Sequence, residues 1–283
     1  MTDIPVIIVA ALLGALQGVT EFLPISSSAH LYAVPYLFGL DDPLLDSLAF
    51  AAVLHLGTLA AVLVAMRHEV MRLSLVALRF ISSLGRTRGE AADERLIVAI
   101  ILGTIPAAAA GAVASDLIDG AVRSPLIVAA AVLAGAALLG VAERLGRRER
   151  PLEGIALFDG VFTGLAQALA LIPGISRSGA TISAGLLLGF DRAAAARFSF
   201  LLGIPAIAGG GILELRKLVE ADLISQGSLP ILLVGIVTSF FAGLLAISLL
   251  LRLLSGGSTR LFVFYRVALA AILIGAALTR GGA

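Results

Sequence analysis

Apolar runs of unequal length set the limits on this fold. A hydrocarbon core about 30 Å thick needs about 20 apolar helical residues to cross it. Six stretches are long enough: 48–66, 96–114, 125–142, 198–215, 230–251 and 261–279. Four others, 4–16, 31–40, 155–172 and 180–190, are too short, and they fall in two pairs. Each pair brackets a polar break that contains proline, QGVTEFLPISSSAH at 17–30 and QALALIPGISRSGA at 167–180. Irregular backbone survives at membrane depth only where protein buries it or a wet cavity meets it. Both breaks therefore read as tips of re-entrant helical hairpins.

The chain is 59% hydrophobic and 14% charged, against roughly a quarter charged in soluble domains, which makes it an integral membrane protein. It has no cysteine, so disulfides, thiolate metal sites and cysteine nucleophiles are excluded together. The start, MTDIPVIIVAALLGALQG, lacks a basic n-region and a small-residue cleavage site and is expected to be mature protein.

Shifting the sequence by 150 residues without a gap superposes Gln17 on Gln167, Ile25 on Ile175, Ser26 on Ser176 and Ser28 on Ser178. The register continues through Leu37 on Leu187, Gly39 on Gly189, Asp41 on Asp191 and Phe50 on Phe200. Three full spans separate the copies, and an odd number turns the second upside down. The expected fold class is thus all-α integral membrane, with six transmembrane helices plus two re-entrant helical hairpins in inverted-topology repeats. One polytopic domain, 1–283, holds repeat one at about 1–142 and repeat two at about 153–283. Segments 67–95, 143–152 and 252–260 carry six, four and two arginines, whereas the other side holds Arg123, Arg216, Lys217 and Arg280. The basic excess places the first set in the cytoplasm and both termini outside.

A charged residue near mid-membrane costs roughly 2.5–3.5 kcal/mol on insertion scales and usually has a partner and a function. For Arg177 an anion is the obvious partner. Ser176, Ser178 and Thr181 add hydroxyls around it, with Ser178 a candidate cap for the helix at ATISAGLLLG. The first break offers Ser28 before a helix expected from His30 onward. Two helix N-termini, a guanidinium and several hydroxyls make a phosphate or diphosphate cradle. Ser27 and His30 stand three apart and would share a helical face, so His30 could take the serine proton. Glu21 could orient His30, act as a base, or help hold a divalent cation such as Mg²⁺ or Ca²⁺.

Plainer readings stand beside these. A serine-rich turn after proline is ordinarily a helix start, and Glu21 with Arg177 could be a simple ion pair across the repeats. His55, inside the first span, reads as a core or cavity-lining residue rather than a catalyst, and Arg266 as a residue that snorkels or pairs. Glu214 reads as a residue near a membrane interface, and the arginines of 143–150 as a positive-inside loop. GGGIL at 209–213 reads as close helix packing, and no GxxxxGK phosphate loop is present.

QGVTEFLPISSSAHL and ALALIPGISRSGATISAGLLLGFDR closely resemble the two signature segments of the undecaprenyl-diphosphate phosphatase family, also called bacitracin-resistance proteins. The resemblance runs over nearly the whole chain, including FSFLLGIPA at 198–206. It implies a multi-pass enzyme of the bacterial plasma membrane. Such an enzyme hydrolyses the C55 lipid diphosphate to the monophosphate at the outer face and recycles the carrier lipid for peptidoglycan synthesis. It places the family's glutamate on Glu21, its serines on Ser26 and Ser27, and its histidine on His30. The second motif falls on Ser176, Arg177, Ser178 and Thr181. Gln17 stands where many members have glutamate, Ala29 replaces a common glycine, and His55 sits where glutamine is usual.

The expected partners are a polyprenyl diphosphate lipid and membrane lipids, with no nucleic acid; a homodimer is left open. Ser27 is expected to attack the terminal phosphorus with His30 assisting, direct attack by water being the close rival. The alternative from another class is a polyprenyl-phosphate flippase, because inverted repeats with broken helices also build transporters.

Overall fold

The computed structural model describes residues 5–40, 45, 48–82, 91–121, 124–220 and 228–280. Among these the chain is helical, with no named strand and one isolated bridge between Arg150 and Phe190. The helices are α1 (Val6–Phe22), α2 (Ser27–Phe38), α3 (Leu48–Ala65), α4 (Arg67–Ser82), α5 (Ala91–Ala121) and α6 (Pro125–Leu145). Then follow α7 (Leu157–Leu169), α8 (Arg177–Leu187), α9 (Arg192–Glu220), α10 (Leu229–Gly256) and α11 (Arg260–Thr279).

Five helical segments are long and apolar enough to cross a membrane: Ala92–Val113, Pro125–Leu145, Arg192–Leu213, Leu229–Gly256 and Arg260–Thr279. The sixth expected span coincides with α3, whose apolar part Val53–Ala65 is shorter. Large apolar side chains point outward along these helices, among them Ile105, Leu245, Phe264 and Ile272, each more than half exposed. A soluble fold would bury most of that surface; a lipid-facing one leaves it as it is.

Close packing rests on glycine. Gly14 and Gly18 of α1 lie directly on the Gly235 and Ser239 carbonyls of α10, and Gly160 and Gly164 of α7 lie on Ala99 and Gly103 of α5. In each case an added Cβ would collide with backbone, which is how small residues four apart bring membrane helices together. α1 thus packs on a helix late in the chain, and α7 on one early in the chain.

The first break is shorter than the sequence reading suggests. α1 stays helical through Gln17, Thr20 and Glu21, and the irregular backbone covers only residues 23–26. Pro24 sets that boundary, because it lacks an amide hydrogen and pushes the residue before it out of the helical region. The helix starts also differ from expectation. Ser26 and Ser176, not Ser28 and Ser178, are the N-caps, and their hydroxyls accept from Ala29 N at 3.4 Å and Gly179 N at 3.1 Å. Both caps have φ 74°, rare for a residue with a side chain. A cap oxygen reaches the amide three residues on, and the caps stand two residues, and the helix starts three residues, earlier than expected in both hairpins.

Candidate functional site

Glu21 is the centre of the polar cluster. It lies on the last turn of α1, 6% exposed. Its Oε2 accepts from Gln17 Nε2 at 3.0 Å and from Ser27 Oγ at 2.8 Å. His55 Nε2, from α3, stands 3.4 Å from the same oxygen. Oε1 accepts from Arg177 Nη2 at 3.0 Å. One carboxylate therefore gathers α1, the start of α2, α3 and the start of α8. The ion pair foreseen as the plain reading is present, and a serine hydroxyl shares its carboxylate.

Arg177 is only partly committed. Nη1 makes a long bond to the Ser199 carbonyl at 3.4 Å, and Nε has no partner. The guanidinium lies against Gly203 of α9, where an added Cβ would overlap Nη1. FSFLLGIPA thus contributes a glycine that makes room for the arginine. A buried donor without a partner is unusual, and on a guanidinium it is spare capacity for an anion.

Ser27 and His30 are not paired. His30 Nδ1 donates to the Ser26 carbonyl at 2.7 Å, while Nε2 meets the Tyr265 hydroxyl at 2.7 Å with the two rings stacked. The Ser26 carbonyl fixes the Nδ1 proton, leaving Nε2 to accept from tyrosine. Helical geometry turns the imidazole back toward the cap, so the base facing Ser27 is Glu21. The pairing of Ser27 with His30 expected from their spacing is therefore corrected.

The remaining hydroxyls tie the tips together. Ser28 Oγ accepts from Gly174 N at 3.2 Å, and Ser178 Oγ donates to the Leu23 carbonyl at 3.0 Å. In both bonds the second break donates and the first accepts. Ser26 and Ser28 stand 3.2 Å apart, and Ser176 and Ser178 3.3 Å. Thr181 turns inward, bonded to the Arg177 carbonyl at 2.8 Å and to Ser199 Oγ at 2.6 Å, and so does not face an anion. The structure brings together Gln17, Glu21, Ser27 and Arg177 as one cluster, with Ser26, Ser28, Ser176 and Ser178 as its frame.

His55, Tyr265, Ser199 and Gly203 belong to this site and were not singled out as functional in the sequence. His55 was expected to line the core or a cavity, and it lies on Glu21. Arg266 does not snorkel, and among the described residues it pairs with no carboxylate. It is fully buried and donates to backbone carbonyls of both breaks. Two arginines of 143–150 also have specific partners: Arg148 reaches Glu143 at 3.2 Å, and Arg150 reaches Asp159 at 2.7 Å. The Glu214 side chain lies outside the described residues.

The donor set does not fit a resident divalent cation. Among the described residues no three His, Asp or Glu side chains stand together as metal ligands. Both Glu21 oxygens are occupied, and a guanidinium already neutralises the carboxylate. Among the described residues of the Glu21 cluster that leaves Gln17 Oε1 as an unpartnered buried oxygen, where Mg²⁺ or Ca²⁺ would want six or more ligands.

The chain is similar to known proteins over nearly its full length. A protein of Thermomicrobium roseum named undecaprenyl-diphosphatase is 45% identical over 273 residues, covering 94% of this chain and 96% of its own. Its namesakes from Gloeobacter violaceus, 44% over 270 residues, and a Nocardioides species, 45% over 262 residues, cover 94% and 93% of this chain and 90% and 93% of their own. The profile of the family described as bacitracin resistance protein BacA matches residues 10–272. With glutamate, serine and arginine clustered at the meeting of two hairpin tips and relatives alike over nearly their full length, the chain belongs to the bacitracin resistance protein BacA family.

Proposed function

We infer that this chain hydrolyses undecaprenyl diphosphate to undecaprenyl phosphate and inorganic phosphate, recycling the carrier lipid. The observation that carries the chemistry is the Ser27 hydroxyl donating to Glu21 at 2.8 Å while Arg177 holds the other carboxylate oxygen at 3.0 Å. A nucleophile, its base and a cation with spare donors come from both breaks and converge. A flippase would need the cation but has no use for a hydroxyl set on a carboxylate.

In the proposed reaction the Arg177 guanidinium and the first amides of α2 and α8 bind the diphosphate oxygens. Ser27 Oγ attacks the terminal phosphorus in line; the bond to the lipid monophosphate breaks and Glu21 takes the serine proton. Water then attacks the phosphoserine, the P–Oγ bond breaks, and Glu21 returns its proton to Ser27. His30 acts by position in this scheme. Its ring holds the carbonyl of Ser26, the cap of α2, and so fixes Ser27. A Mg²⁺ or Ca²⁺ ion would enter as a counter-ion of the diphosphate, not as a protein-held centre.

The proposed setting is the bacterial plasma membrane. There α3 and the five longer apolar segments span, and α1–α2 and α7–α8 form re-entrant hairpins of two inverted repeats. The arginine excess of the loops supports termini on the outside and a site open to the outer face. The cluster is supplied by one chain, so a homodimer is not required by the chemistry. The test is phosphate release from undecaprenyl diphosphate by purified protein in detergent; no release would overturn the reading.

A further inference from the structure

Arg266, on α11, is the largest fully buried side chain among the described residues. Its Nε donates to the Val132 carbonyl of α6 at 3.2 Å and its Nη1 to the Pro24 carbonyl of the first break at 3.3 Å. Nη2 donates to the Gly174 and Ile175 carbonyls of the second break at 2.9 and 2.8 Å. Among the described residues no carboxylate forms an ion pair with it.

Carbonyl dipoles satisfy these donors, but they do not cancel a net charge. A lone charge in a buried setting is among the most expensive arrangements a fold can hold, and a well-packed apolar residue would ordinarily serve stability better. Even so, the surroundings are built to admit it. At Gly135 an added Cβ would overlap Nη2, and at Gly179 it would stand 2.7 Å from Nη1. The half-buried Arg177 differs, since it is balanced by Glu21. Both hairpin tips are thus left with a standing positive charge behind them.

We propose that Arg266 is an electrostatic positioning residue. Its uncompensated guanidinium, held behind the starts of α2 and α8, supplies positive potential that draws the substrate diphosphate without touching it. The helix N-termini add partial charge of the same sign. This rests on the diphosphatase reading above. It differs from a purely structural staple, for which the hydrogen-bond geometry would matter and the charge would not.

The experiment compares KM and kcat for undecaprenyl diphosphate in detergent for the parent chain, Arg266→Met and Arg266→Lys. Methionine keeps volume and loses charge; lysine keeps charge and loses the planar donor fork. The expected result is a KM raised tenfold or more in R266M with kcat within fivefold, and a KM within fivefold of the parent in R266K. A parental KM in folded R266M overturns the proposal, and so does an R266K as impaired as R266M. If R266M does not fold, R266K decides alone: a KM within fivefold supports the charge role and a larger rise overturns it. The parent assay separates the two readings. No phosphate release by the parent chain defeats the diphosphatase reading and this proposal with it; an active parent with an unchanged R266M defeats only the proposal.

Discussion

Ser27 Oγ donates to Glu21 Oε2 at 2.8 Å, across a break that begins and ends between these two residues. The carboxylate is on the last turn of α1 and the serine is the first residue of α2. Their pairing makes Glu21 the base and Ser27 the nucleophile. Glu21→Gln cannot accept the proton, and kcat is expected to fall by about 10²–10⁴-fold. Ser27→Ala is expected to lose about 10³-fold or more. A Ser27→Ala protein that keeps near-parental turnover would sink the serine route and leave water as the attacking group.

Gly203 holds the space in which Arg177 lies, although it touches no reacting atom itself. A methyl at that position overlaps Arg177 Nη1, and the helix backbone of α9 cannot give way cheaply. Gly203→Ala should therefore push the guanidinium off Glu21 and reproduce the loss of Arg177→Ala within about threefold, the non-additivity expected of residues acting as one unit. The check is kcat/KM for both single variants and the double. A Gly203→Ala protein with parental kcat/KM would contradict the placement.

The Tyr265 hydroxyl contacts His30 Nε2 at 2.7 Å, and the stacked rings have centroids 5.6 Å apart. Tyr265→Phe keeps the stack and removes one hydrogen bond. Such a bond is worth about 1 kcal/mol net, so kcat is expected to fall only about fivefold. His30→Ala also releases the Ser26 carbonyl and should cost far more. Equal losses in the two variants would mean that the tyrosine hydroxyl, and not the hold on Ser26, is what the histidine contributes.

The apolar runs and the 150-residue offset made much of this fold legible, because lipid imposes a length on helices that any sequence must display. The two proline breaks located the hairpin tips for the same reason. Their fine structure was harder to read. Ser26 and Ser28 are both plausible caps by residue type, and the Ser26 hydroxyl accepting from Ala29 N decides between them. His30 was placed on Ser27 by helical spacing, but which way an imidazole turns depends on Tyr265, 235 residues away. His55 and Gly203 carry no local motif: a histidine in an apolar run and a glycine in a helix acquire meaning only from what packs against them. His55→Gln keeps an N–H donor for Glu21 and is expected to retain activity within about threefold. His55→Leu removes the imidazole that stands 3.4 Å from the Glu21 carboxylate and should lose about tenfold, as a charge-assisted contact is worth about 1.5 kcal/mol or more.

A second network at the far end of α6 bears on stability rather than turnover. Glu143 is 2% exposed and accepts from Arg192 Nη2 at 2.5 Å, Arg148 Nη1 at 3.2 Å, Ser258 Oγ at 2.9 Å and Thr259 Oγ1 at 2.9 Å. It thus joins α6, α9 and the turn between α10 and α11 through one carboxylate. Glu143→Gln keeps the shape, loses the charge and leaves two arginines facing an amide. Removing one member of a buried pair costs about 3–5 kcal/mol. The arginines here are a quarter to a third exposed, so water recovers part of that and about 2 kcal/mol is the expected loss. None of these groups touches the Glu21 cluster. The variant should therefore unfold several degrees lower in detergent, while kcat/KM measured well below that midpoint stays within twofold. A parental midpoint with reduced kcat/KM would show that this end of the bundle is coupled to the site instead of supporting it.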